Sequence, residues 1–322
     1  MSNAYYLGLD VGSVSTNLVV TDENDNLIKK LYLLTSGKPV NVLTRGLQML
    51  IQELPGITIS GVGTTGSGRQ LSSIITGADI VKNEITAHAV AAQKIAPNVR
   101  TIIEIGGQDS KIILLRNGVV IDFAMNTVCA AGTGSFLDRQ AARLEIPIEE
   151  FGGYALRATA PTRIAGRCAV FAESDMIHKQ QTGHSTENII AGLCEALVRN
   201  YLTNLAKGKD IEEPVLFQGG VAANIGIVAA FEKQLKKTLI IPQHHDVMGA
   251  IGAAILARRA VKTGAKTVFA GFSCASREYV TKSIECSGCS NCCEVIEISY
   301  SGTIAARFGD KCGKWSNLSI AV

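Results

Sequence analysis

The sequence predicts an α/β fold made of two related halves followed by a small cysteine-rich extension. Three observations predict it. Apolar strand-like runs alternate with helical stretches along most of the chain. A strand hairpin tipped with glycine occurs twice in the same frame. Six of the nine cysteines crowd together from Cys274 onward. The 322 residues are 47% hydrophobic and 18% charged, enough for two ordinary domains with their own cores.

The first element is Leu7-Gly8-Leu9-Asp10-Val11-Gly12-Ser13, an apolar strand ending in an acid, a spacer and a glycine. A second apolar run, Leu18-Val19-Val20, follows Thr16 and Asn17 and ends in the turn-rich Thr21 to Asn26, which reads as a β-hairpin. The frame returns at Ile102-Ile103-Glu104-Ile105-Gly106-Gly107. Asp10 aligns with Glu104, Gly12 with Gly106, Thr16 with Ser110 and Asn17 with Lys111. Ile112 to Leu115 form the second outer strand, closed by Arg116-Asn117-Gly118. Between Pro214 and Ala222 a buried strand leads through Gly219-Gly220 into a helix expected to carry Asn224. Leu239 to Pro242 is a short strand, and Met248 to Ala254 a small-residue helix suited to very close packing. Ser135 to Leu144 and Asn188 to Leu205 are helical, the latter with Ile189, Leu193, Leu197 and Tyr201 on one stripe. The expected organisation is a first half over 1–100, also open to receiving the last core helix, a second half over 101–262, and the extension over 263–322.

Composition excludes several function classes. A net charge of +3 with scattered basic residues and 5% aromatics argues against nucleic-acid binding. No apolar run reaches the roughly 18 residues of a membrane helix. The start of the chain shows no basic and apolar leader, so a cytoplasmic protein is expected. Nine cysteines, an odd number, favour metal or redox chemistry over a disulfide framework.

Glycine at a strand end lets backbone approach a ligand that a side chain would block. Successive N–H groups in such a turn form an anion site. The expected phosphate ligands are Gly12, Ser13, Val14, Ser15, Thr16 and Asn17 from the first turn and Gly106 and Gly107 from the second. Gly219, Gly220, Val221, Asn224 and Gln243 are candidates for the rest of the nucleotide, with Gly132, Thr133 and Gly134 as a further contact. Asp10 and Asp109 suit a water-bridged magnesium ion. Gln108 and Glu84 complete the catalytic candidates, Glu84 also suiting a connection between the halves. No Walker lysine motif is present. The order of Asp10-Val-Gly-Ser, Glu104-Ile-Gly-Gly-Gln-Asp and Gln218-Gly-Gly-Val resembles the motifs of the actin, hexokinase and chaperone ATPase superfamily. That resemblance implies an actin-like ATPase fold, two ribonuclease-H-like domains with ATP and Mg2+ in the cleft.

Asn126-Thr-Val-Cys129-Ala-Ala-Gly-Thr-Gly-Ser and Gly166-Arg-Cys168-Ala-Val-Phe-Ala-Glu-Ser-Asp175 each place a cysteine before an expected helix. A thiolate there is stabilised by free N–H groups and the helix dipole. A 4Fe–4S cluster takes four thiolates, which Cys129 and Cys168 supply twice in a two-fold dimer. Cys194, inside an apolar helical stripe, reads as core, and His88 as a structural histidine.

These motifs resemble the activator family of 2-hydroxyacyl-CoA dehydratases, which includes ATPase subunits of benzoyl-CoA reductases and the reductase of double-cubane cluster proteins. The resemblance covers about residues 5 to 260. It implies an anaerobic homodimer sharing one 4Fe–4S cluster through Cys129 and Cys168. Ferredoxin or flavodoxin reduces it, and ATP hydrolysis drives one electron into a partner: a 2-hydroxyacyl-CoA dehydratase, an aryl-CoA reductase or a double-cubane cluster protein. A sugar or acyl kinase of the same superfamily is the alternative, but no catalytic aspartate facing an acceptor pocket stands out. In the extension, Cys286, Cys289, Cys293 and Cys312 are the expected ligands of zinc or a second iron–sulfur cluster, with Cys292 spare.

Overall fold

The structure is a computed structural model that describes residues 4–126, 129–261 and 266–316. The expected boundary at 262/263, and Thr127 and Val128 of the first cysteine motif, lie outside the described residues. In chain order the elements are β1 (Tyr5–Val11), β2 (Ser15–Thr21), β3 (Leu27–Leu34), α1 (Pro39–Glu53), β4 (Ile59–Thr65), α2 (Arg69–Thr76), β5 (Ile80–Val81) and α3 (Glu84–Ile95). Then come β6 (Thr101–Ile105), β7 (Ser110–Arg116), β8 (Val119–Asn126), α4 (Gly134–Arg143), α5 (Ile148–Leu156), α6 (Ala169–Gln181) and α7 (Thr186–Asn204). The rest are β9 (Val215–Gln218), α8 (Ile225–Leu235), β10 (Leu239–Ile240), α9 (Met248–Ala260), β11 (Tyr279–Glu285), β12 (Glu294–Tyr300) and β13 (Thr303–Phe308).

Two compact units result, Met1–Glu84 with Gly249–Val322, and Ile85–Met248. The first contains a sheet of order β3-β2-β1-β4-β5, the second one of order β10-β9-β6-β7-β8. These are the same topology. In each, an antiparallel meander feeds a parallel pair from its first strand. The register repeats too: Asp10 faces Asn17, and Glu104 faces Lys111. The internal repeat of the sequence is therefore a repeat of structure.

In the first unit, Leu7, Leu9 and Val11 of β1 pack with Leu43, Leu47 and Leu50 of α1. Pro39 in the first turn of α1 suits a position whose N–H has no helical partner. Gly77 ends α2 in the left-handed region at φ +67°. The extension joins this core through Cys274, Ala275 and Ile298. Gln48 donates to the Ala275 carbonyl at 2.9 Å, and the Asp79 carboxylate accepts from the Val268 N–H at 2.9 Å and the Thr267 hydroxyl at 2.7 Å. Helix α9 lies so close to the sheet that Gly8 and Gly63 meet its backbone directly.

In the second unit, α7 buries the predicted stripe Ile189, Leu193, Leu197 and Tyr201. Each such side chain contributes about 1.5–3 kcal/mol. Ser185 caps α7 by accepting from the Asn188 N–H. Cys194 is buried in this stripe, and burial pushes its thiol up to about 12, as befits a core residue.

Candidate functional site

The first glycine turn, in the first unit, joins β1 to β2. The Gly12 N–H donates to the Ser15 carbonyl at 2.9 Å, and the Thr35 N–H to the Val14 carbonyl at 2.8 Å. The Thr35 hydroxyl donates to the Gly12 carbonyl, also at 2.9 Å. With that proton spent, Thr35 accepts from the Thr16 hydroxyl at 2.9 Å. Thr16 and Asn17 are buried, so they brace the turn from below; Ser13 is exposed and Ser15 half-buried. Gly66, at φ +88°, lies where a Cβ would sit 2.5 Å from an Asp10 carboxylate oxygen. A cavity of about 780 Å³ opens beside the turn, lined by Gly12, Ser13, Lys38, Ser67, Tyr279 and Phe308 among others. The extension thus forms one wall of a cavity that reaches the first glycine turn.

The second turn, in the second unit, joins β6 to β7. The Gly106 N–H donates to the Asp109 carbonyl at 3.0 Å. The Lys111 ammonium is 3.0 Å from Glu104 and 2.8 Å from Asp109, and its side chain is 2% exposed. Lys111 is the buried cation beside this turn that motif reading did not single out. Its signal was present: a charged residue replaces Asn17 in the repeat at a position the hairpin buries. Gln108 is exposed at the tip.

The third turn follows β9, which pairs in parallel with β6, so the two turns lie side by side at the carboxyl ends of neighbouring strands. Gly219 sits at φ +91° with an added Cβ only 2.3 Å from the Ile105 carbonyl, so glycine is required there. His245 brackets it: its carbonyl accepts from the Gly219 N–H at 2.8 Å, and its Nδ1 lies 2.9 Å from the Gly219 carbonyl. Gly220 is exposed and Val221 buried. Asn224 is not inside a helix as the sequence suggested. It caps α8, accepting from Gly226 and Ile227 N–H groups at 3.0 and 3.2 Å. Gln218 is buried against His88, whose Nδ1 lies 2.7 Å from its amide nitrogen, which gives His88 the expected structural role. Gln243 is exposed in the loop after β10, and Glu84 opens α3 where the chain passes from one unit to the other.

The two cysteine motifs meet in the second unit. Cys129 is the N-cap residue of a short 3-10 turn, Ala130–Gly132, and Cys168 that of α6. The Asn126 side chain holds Cys129 at both ends, accepting from its N–H at 3.0 Å and donating to its carbonyl at 2.8 Å. The Cys129 thiol lies 4.0 Å from the carbonyl of Arg167, the residue preceding Cys168. Asp175 accepts from the Ala165 N–H at 2.8 Å and steadies the second loop. Both thiols are free and half-buried. Next to Cys168, Val170 and Phe171 expose 68% and 67% of their surface. The two free thiols thus sit on neighbouring loops flanked by exposed apolar side chains, and thiols of this kind are of the type that ligates iron.

The Cys129 segment also touches the second glycine turn. The Gly134 N–H donates to the Gly106 carbonyl at 2.9 Å, and the Ser135 N–H to the Gly107 carbonyl at 2.9 Å. The Ser135 hydroxyl adds a bond to the same oxygen at 2.6 Å. Thr133 is buried, its hydroxyl donating to the Ala130 carbonyl at 2.8 Å. Gly132 to Gly134 therefore form the bridge between a glycine turn and a cysteine.

The model of the BadF/BadG/BcrA/BcrD ATPase family matches residues 7–257, which contain all three turns and both cysteine motifs. The chain belongs to this family. The 2-hydroxyisocaproyl-CoA dehydratase activator of Clostridioides difficile is 34% identical over 82% of this chain and 98% of its own length. The structure of the Clostridium difficile activator with bound ADPNP superposes with a TM-score of 0.73 at 33% identity, covering 80% of this chain and 96% of that one. Component A of the (R)-2-hydroxyglutaryl-CoA dehydratase of Acidaminococcus fermentans gives 0.74 at 32% identity, covering 80% and 100%. The fold is the actin-like ATPase fold.

The BadF/BadG/BcrA/BcrD match ends before the extension. Among the described residues no three His, Cys, Asp or Glu side chains gather as a metal site. Cys286 and Cys293 are tied together in a hairpin, the Cys286 N–H donating to the Cys293 carbonyl at 2.8 Å, while Cys289, Cys292 and Cys312 are exposed. The Trp315 indole, the Gly288 N–H and the Lys314 ammonium hold the Cys286 thiol below its usual range. Among the described residues no helix is long and apolar enough to cross a membrane.

Proposed function

We propose that this chain is an ATP-dependent activator that drives an electron at low potential into a partner iron–sulfur enzyme, working as a homodimer with Cys129 and Cys168 of each chain as cluster ligands. The observation that carries this reading is the contact between the Cys129 segment and the Gly106–Gly107 turn. A change at the turn has a direct mechanical route to a cluster ligand.

In this reading Ser13 to Ser15 and Gly107 offer backbone N–H groups and hydroxyls to the phosphates, while Gly12 and Gly106, whose N–H groups close their own turns, let the phosphates approach the backbone. Asp10 and Asp109 hold Mg2+ through water. Gln108 and Glu84 are the candidates for orienting the attacking water. Gly219 and Gly220 open space for the nucleoside, and Val221 gives it an apolar contact. Thr16 and Asn224 act indirectly, by bracing a turn and capping a helix. Catalysis is then positioning and charge stabilisation of the transferred phosphoryl group. A 4Fe–4S cluster supplies one-electron chemistry when bound. The exposed Val170 and Phe171 beside Cys168 form apolar surface for the second copy. The donor is a ferredoxin or flavodoxin. The acceptor is a 2-hydroxyacyl-CoA dehydratase, an aryl-CoA reductase or a double-cubane cluster protein, and the names of the relatives favour the first.

Cys129→Ala and Cys168→Ala test this. Each is expected to abolish iron retention after anaerobic reconstitution while ADP binding, measured by calorimetry, stays within about threefold of wild type, a change of less than 1 kcal/mol. Iron retained by either variant would remove that cysteine from the ligand set.

A further inference from the structure

Helix α7 enters neither the glycine turns nor the cysteine motifs, yet it carries one buried amide that touches both cysteine loops. Asn200 is 3% exposed. Its Nδ2 donates to the Gly166 carbonyl at 2.7 Å and reaches the Arg167 carbonyl at 3.5 Å, both in the loop that delivers Cys168. Its Oδ1 accepts from the Asn204 amide at 3.1 Å. The same oxygen faces Gly132 so closely that a Cβ there would lie 2.7 Å away. One side chain is thus wedged between the Cys129 turn and the Cys168 loop. The next residue, Tyr201, is buried and donates its hydroxyl to the Lys111 carbonyl at 2.7 Å. That bond anchors α7 to the strand carrying the second glycine turn.

The two loops are not linked to that turn in the same way. The Cys129 segment bonds to it directly through Gly134 and Ser135. For the Cys168 loop, the contacts toward the Cys129 segment among the described residues include the Asn200 wedge and the 4.0 Å approach of the Cys129 thiol to Arg167. A buried amide with defined partners transmits displacement because leaving it half-satisfied is costly.

We propose that Asn200 is the positioning residue that passes movement of the nucleotide-contacting turn from the Cys129 segment to the Cys168 loop, so that both thiols shift together. This rests on the proposed ATPase reading. It assigns regulation of the cysteine pair to a residue outside both motifs. Asn200 orients the two ligand loops and does not itself touch a reacting atom.

The test uses full-length, cluster-free protein under anaerobic reducing conditions. Iodoacetamide alkylation of Cys129 and Cys168 is followed separately by peptide mass spectrometry, with and without a non-hydrolysable ATP analogue and Mg2+. In wild type both rates are expected to change by a common factor of at least about fivefold. Asn200→Asp keeps the size of the side chain and an acceptor for Asn204 but loses the Nδ2 donor. In that variant Cys129 is expected to keep its response, which also reports a folded protein, while Cys168 loses its own. Asn204→Ala, which removes only a brace at the exposed end of α7, is expected to weaken the Cys168 response with the fold intact. A Cys168 response unchanged in Asn200→Asp overturns the proposal while leaving the ATPase reading in place. A wild type that binds the analogue with no change at Cys168 does the same. Absence of analogue binding, measured by calorimetry on the same sample, overturns the ATPase reading and the relay together.

Discussion

Lys111→Met is expected to destabilise the protein by about 3–5 kcal/mol, because it removes the cation from a buried ion pair and leaves its carboxylate behind. The lysine side chain is 2% exposed and that of Glu104 6%. Two charges out of water are tolerable when they compensate each other; one alone is not. Asp109, the second partner, is 32% exposed and keeps access to solvent, so Glu104 carries most of the cost. The double variant Lys111→Met with Glu104→Gln is expected to recover most of the loss, since a neutral amide replaces the buried charge. Urea unfolding monitored by circular dichroism checks both. A single variant within about 1 kcal/mol of wild type would mean that the pair contributes little, as exposed pairs do. The same substitution frees Asp109 and the β6–β7 turn, so weaker ATP binding is expected in the folded fraction.

Gly63→Ala is expected to cost about 3 kcal/mol, at the top of the usual range for overpacking. An added Cβ would fall 2.1 Å from the Ala253 carbonyl oxygen of α9, and the obstacle is helix backbone, which cannot rotate aside. Gly8 is in the same position against Ala250, at 1.9 Å. Helix α9 would have to lift from the middle of β1 and β4, which pair Gly8 with Gly63 in register. A lowered unfolding midpoint in both variants, with nothing comparable for Gly37→Ala or Gly56→Ala, would separate crowding from loss of backbone freedom. Gly37 and Gly56 have positive φ and open space around them. Equal losses at all four positions would contradict crowding as the cause.

Much of this architecture is legible in the residues. The repeat at Asp10 and Glu104 survives as identical strand order, because alternation and turn chemistry are local signals. The small-residue run from Met248 announces close packing, and the structure shows what it packs against. Lys111 is harder, since its role depends on a hairpin register that buries it against Glu104. Asn200 gives no local signal. It lies one position before Tyr201 of the predicted stripe, and its partners in the Cys168 loop are more than thirty residues away in sequence. The extension misleads in a different sense. Its cysteines suggest a separate knuckle, while its apolar residues, Ile298 and Ala275, bind it into the core of the first unit.

The most direct measurement is native mass spectrometry of the anaerobically reconstituted protein, read together with its iron content. The cluster assignment to Cys129 and Cys168 requires a two-chain species carrying one cluster, about four irons per two chains, that vanishes on either cysteine substitution. An iron-free dimer, or a single chain that holds about four irons alone, would contradict it.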